Sequence, residues 1–115
     1  MAISAAYENS ASISTTEYSL PNNSTSLTPI TVDGVYQVFI DLANMIAGDQ
    51  YEIKVYEKVT SGGTQRLIET WIVTGAQSKP ALLLPSLILL HGWDVTMKRL
   101  AGADRTIGWS IRQVA

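Results

Sequence analysis

Residues 51–73 read YEIKVYEKVTSGGTQRLIETWIV, and this stretch decides the fold class. Tyr51, Ile53, Val55 and Val59 alternate with Glu52, Lys54 and Lys58, the period of a strand with one buried and one charged face. Ser61-Gly62-Gly63-Thr64 is a turn by composition. Leu67, Glu69, Trp71 and Val73 then alternate with Arg66, Ile68, Thr70 and Ile72. The two runs predict a β-hairpin. Glu57 and Glu69 fall on its apolar faces, where a carboxylate is costly unless paired or solvated. Their expected place is near strand ends that open to solvent, with Glu69 also in reach of Arg66 or Lys54.

Working outward, Val35–Leu42 follows the turn signal Asp33-Gly34. Its apolar residues also fit helical spacing, with Asp33 as N-cap and Gly48 as stop. The density of strand formers in Val35-Tyr36-Gln37-Val38-Phe39-Ile40 favours a strand, with Tyr36, Val38, Ile40 and Leu42 on one face. Downstream, 75–80 reads as a loop. Pro85 is expected to split the Leu82–Leu90 run, leaving a buried strand over 86–91 that continues into 92–100 with a bend at Gly92. Trp93, Val95 and Met97 alternate with Asp94, Thr96 and Lys98. Ala101–Asp104 reads as a turn, and Ile107, Trp109 and Ile111 alternate beyond it, predicting a second hairpin. Upstream, residues 1–31 hold twelve Ser or Thr and no Lys or Arg. They read as a polar arm with a first strand over 12–20 and a turn at Pro21–Ser24, ahead of a body over 32–115. Short strands joined by Gly/Asn/Asp/Ser turns predict one all-β domain. The expected form is an antiparallel β-sandwich, jelly-roll-like with a Greek-key crossing.

Met45-Ile46-Ala47-Gly48-Asp49-Gln50-Tyr51 carries the crossing. It resembles the corner of immunoglobulin-like sandwiches, where an apolar plug, a tight turn and a tyrosine open a strand. Met45 would plug the core end, Gly48 and Asp49 would make the turn, and the Tyr51 hydroxyl would bond to backbone where the chain changes sheets.

Composition narrows the function. The chain has 115 residues, 46% hydrophobic and 16% charged, with net charge −2 and no cysteine. One domain with a small core fits that length. The charge lacks the basic excess of a general nucleic-acid binder. Without cysteine there are no disulfides, Cys-based zinc sites or thiol nucleophiles. The start Met1-Ala2-Ile3-Ser4 shows no signal-peptide pattern. The ten-residue Ala81–Leu90 run falls short of the ~20 apolar residues of a membrane span. Asn22 and Asn23 sit in Asn-x-Ser/Thr patterns but read as loop residues.

No catalytic, cofactor or metal set is legible. His91 is the only imidazole. Asp94 and Ser86 lie near it in sequence, yet nothing in the spacing makes the three converge, so a structural histidine at a strand bend is expected. Asp49 and Asp104 lack the run of oxygen ligands that calcium needs. Gly62-Gly63 is a turn and not a phosphate cradle. Trp71, Trp93 and Trp109 sit at inward positions and read as core rather than as a sugar platform.

The stretches Leu42–Tyr51, Val55–Val59 with the Ser-Gly-Gly-Thr-Gln turn, His91–Thr96, Leu100–Arg105 and Trp109–Arg112 are similar to small capsid decoration, or cement, proteins of tailed bacteriophages. The resemblance spans roughly 35–115. It implies a non-catalytic virion protein made in the host cytoplasm. Such a protein sits as a homotrimer on the outer capsid surface and reinforces contacts between major capsid protein subunits, with no cofactor, nucleic acid or membrane as partner. The alternatives are another virion part (tail, head–tail or fibre-associated), a carbohydrate-binding module, or a small hydrolase using His91. Residues 1–53 carry six acids and no base, whereas 54–115 carry eight bases and four acids. This split predicts complementary contacts between copies, with Lys98, Arg99, Arg105 and Arg112 as candidate assembly residues.

Overall fold

A computed structural model describes residues 2–114. Eight strands are present among them. These are β1 (Ile3–Ile13), β2 (Tyr18–Ser19), β3 (Gly34–Asp41), β4 (Gln50–Lys58), β5 (Gln65–Thr74), β6 (Ala81–Leu89), β7 (Trp93–Ala101) and β8 (Arg105–Val114). They form two four-stranded antiparallel sheets packed as a sandwich, sheet A in the order β1-β8-β3-β6 and sheet B in the order β2-β7-β4-β5.

The expected strand over Val35–Leu42 is β3, and the expected hairpin is β4–β5. That hairpin is the one place where consecutive strands pair; every other connection between strands changes sheet. The second hairpin does not form. β7 pairs with β4 and β2, while β8 pairs with β1 and β3. Alternation fixes which side of a strand is apolar but is blind to which neighbour completes the ladder. The polar arm is also not loose. Residues 3–13 pair along β8 as an edge strand, and of the expected strand over 12–20 only 12–13, the end of β1, and the two residues of β2 are in strands.

Pro85 does not split the 82–90 run. It lies with Ser86 in a bulge opposite Gln37, on an edge strand where a missing N–H is tolerated. The break comes instead at His91-Gly92, where Gly92 has φ 142° and the chain leaves sheet A for sheet B. A bulge at Ile68 likewise shifts the phase of β5. Leu67 pairs with Tyr56 and faces outward, whereas Glu69, Trp71 and Val73 keep the inward face.

The inward rows make one core, which includes Tyr36, Val38, Ile53, Val95, Met97 and Ile111. Each such buried side chain contributes about 1.5–3 kcal/mol. Trp93 is central. Its ring lies 4.7 Å from Tyr36 and 5.7 Å, edge-on, from Tyr7. Trp93 Nε1 donates to the Val32 carbonyl at 3.0 Å, and the Tyr36 hydroxyl donates to the same carbonyl at 2.8 Å. Two buried polar tips thus share one acceptor with two lone pairs. Trp109 is also buried, edge-on to Tyr18, while Trp71 is only half-buried on edge strand β5.

Candidate functional site

The corner residues converge as their types require. Met45 is buried at the core end, and Gly48 has φ 92° in the turn before β4. The Tyr51 hydroxyl donates to Ala103 O at 2.9 Å and accepts from Arg105 N at 2.8 Å. A longer contact, 3.4 Å, reaches Ile13 O at the end of β1. The partners of Tyr51 therefore belong to the β7–β8 crossing and the end of β1, and not to its own β3–β4 connection. Asp49 bridges the same two crossings. Its carboxylate accepts from Ile46 N at 3.0 Å, Ala103 N at 3.2 Å and Arg105 Nε at 2.7 Å. The hydrogen bond from Arg105, then that from Ile46, holds the Asp49 carboxyl well below the usual range. A Cβ at Gly102 would lie 2.7 Å from Asp49 Cα, so only glycine permits this approach. The cluster is a clamp between two crossings.

The four candidate assembly residues are not one patch. Arg105 is bound to Asp49, and Arg99 pairs with Asp104 at 2.8 Å. Lys98 lies on the outer face of sheet B and Arg112 on the outer face of sheet A. Part of the charge split between the halves of the sequence is thus consumed inside one copy, in the Asp49–Arg105 pair.

Glu57 is not exposed. It is buried at an inward position, and its carboxylate accepts backbone N–H groups from Leu90 at 2.5 Å, His91 at 3.2 Å and Gly92 at 3.0 Å. The unpaired acid of the sequence is the acceptor that closes the β6–β7 turn. Glu69 is exposed and, among the described residues, bonds only Thr70 N, at 3.2 Å; Lys54 pairs with Glu52 instead. His91 stands in that turn, and among the described residues no hydrogen bond joins its side chain to either of the other two candidate triad members. Asp94 accepts from Ser19 at 2.6 Å, and Ser86 accepts from Gln37 at 3.0 Å. Among the described residues no group of three or more acids and histidines could hold a metal.

Asp94 is the most perturbed carboxylate of the outer face of sheet B. Burial pushes it up to about 6, reinforced by the charge of Glu17 and opposed by the bonds from Ser19 and Val95. Its stabilising contribution is full below about pH 4 and is lost as the pH rises to about 6, because the fold holds the proton more tightly than the unfolded chain. Asp94→Asn is expected to raise unfolding free energy at pH 7 by about 2 kcal/mol and to leave it unchanged at pH 3.5. Urea unfolding of both proteins across that range is the check, and a difference that does not vary with pH would remove Asp94 as the titrating group.

The surface feature that stands out is one flank. β5 and β6, joined by the loop 75–80, are the outermost strands of their two sheets there. Each presents an unpaired backbone edge, and each carries exposed apolar side chains, those of β5 on the outer face of sheet B and those of β6 on the outer face of sheet A. Leu67, Ile68, Ile72, Leu83 and Leu90 are about half exposed, and Ile88 is 80% exposed. Long apolar edges are what soluble proteins usually blunt. For β6 the sequence signal is the apolar run 82–90 that predicts a buried strand, and the structure leaves Leu83, Ile88 and Leu90 exposed. No protein-family model matches the chain, and no curated protein or solved structure does either.

Proposed function

We propose that this chain is a structural virion protein of a tailed phage. In this reading it decorates the outer capsid surface as a homotrimer and reinforces contacts between major capsid protein subunits without catalysis. The observation that carries the reading is the β5–β6 flank, two unpaired edge strands that each expose apolar side chains, which a stable assembly would cover. The nested ladders β1·β8, β2·β7, β3·β6 and β4·β5 support a jelly-roll description, an architecture found in viral capsid and lectin domains and in cupins. Architecture alone does not carry function, and the resemblance over 35–115 supplies the phage context.

The test is co-sedimentation of purified protein with shells assembled from the major capsid protein of the same genome. The wild-type chain is expected to sediment as a trimer and to bind shells. Ile72→Lys with Ile88→Lys, both outward and exposed, is expected to weaken shell binding at least tenfold with the thermal midpoint unchanged. A strict monomer that stays in the supernatant would overturn the reading.

A further inference from the structure

The outer face of sheet A, away from β5, carries a groove of about 630 Å³. Its size is within the ~300–1,000 Å³ typical of small-ligand sites. The register builds it from cross-strand rows. Ser10, Gly108, Asp41 and Ala81 form one row, and Glu8, Ser110, Phe39 and Leu83 the next; Arg112 stands beside Gln37 in the third. Gly108 leaves the floor open where its neighbours raise side chains, and Pro80 and Ala81 close one end.

The polar groups of this groove are held but not used up. The Arg112 guanidinium is stacked 4.0 Å from the Phe39 ring centroid, and its Nε donates to Ser110 Oγ at 3.3 Å. Its terminal nitrogens have no acceptor among the described residues. Asp41 gives one oxygen to Ala43 N at 3.0 Å, and Glu8 makes no ion pair among the described residues. The four terminal N–H donors of this fork thus stand beside two carboxylates that only accept, over a floor that is largely apolar. One positive and two negative groups leave one excess negative charge, which disfavours an anionic ligand. Adjacent hydroxyls of a sugar ring offer the matching set. Each donates to a carboxylate and accepts from the guanidinium, while the C–H face of the ring packs on Gly108, Pro80 and Ala81.

We propose that this groove binds a neutral saccharide, with Arg112, Glu8 and Asp41 holding its hydroxyls and Gly108 making room for the ring. Trp93 and Trp109 are in the core, so the stacking platform is the Phe39–Arg112 pair and not tryptophan. The proposal does not rest on the virion reading.

The test is an NMR titration of the ¹⁵N-labelled full chain with maltotriose, cellotriose and N,N′,N″-triacetylchitotriose, and with a neutral Ala/Ser hexapeptide as control. At least one sugar is expected to shift the amides of Asn9, Asp41, Gly108 and Ser110 together. Two variants separate binding from folding. Gly108→Val fills the floor, and a Cβ there would meet nothing closer than 3.9 Å, with sheet B amide positions as the check that the fold is kept. Arg112→Ala removes the fork. Each should lower sugar affinity at least tenfold while amides in sheet B keep their positions. Failure of all three sugars to shift these amides, shifts that survive in both variants, or a response to the peptide alone would each overturn the proposal.

Discussion

Trp93→Ala is expected to lower unfolding free energy by about 3–5 kcal/mol, the usual range for emptying a large aromatic site. That is a large share of the about 5–15 kcal/mol that holds a domain of this size. The loss combines three terms: the cavity, the broken contacts with Tyr36 and Tyr7, and the Val32 carbonyl left with Tyr36 as its only side-chain donor. Trp93→Phe keeps an aromatic ring but not the N–H, so it should lose about 1–2 kcal/mol. Chemical unfolding followed by far-ultraviolet circular dichroism measures both. Equal losses for Ala and Phe would show that the hydrogen bond, and not the packing, dominates.

Glu57→Ala should rank next, at about 2–4 kcal/mol. It strips the acceptor from three amides of the β6–β7 turn, and an unmet buried donor costs about 1–3 kcal/mol. Leu90 is exposed and His91 half-buried, so water replaces part of what is lost there; Gly92, which is buried, has no such rescue. Glu57→Gln keeps one oxygen but turns an amide group toward donors, so it should recover less than half of the loss. Hydrogen exchange gives a local reading, because the amides of Leu90 and Gly92 should exchange faster than those of β4. A variant that unfolds like the wild type would mean the turn is held by its strands alone.

The β4–β5 hairpin was legible because its signals are local: two alternating runs and a Gly-Gly turn within 23 residues. Strand β3 was legible for the same reason, once strand formers outweighed helical spacing. The tyrosine corner was legible in its residues but not in its partners. Tyr51 and Asp49 reach Ala103 and Arg105, more than fifty positions away, and no spacing rule connects them. Leu67 changed faces because one extra residue at Ile68 reverses a period of two. Pro85 looked like a break because a central strand cannot hold it, yet β6 is an edge.

The near-neutral, cysteine-free composition and the short alternating runs determined an all-β, one-domain chain without metal or thiol chemistry of the cysteine kind. Alternation records which face of each strand is apolar, and that is a property of the sequence itself. Only the tertiary structure decided which strands share a sheet, that Glu57 serves three distant amides, and that β5 and β6 are edge strands with exposed apolar side chains. Those outcomes depend on which distant backbone groups satisfy one another, and hydrogen-bond partners chosen across the fold leave no trace in local pattern.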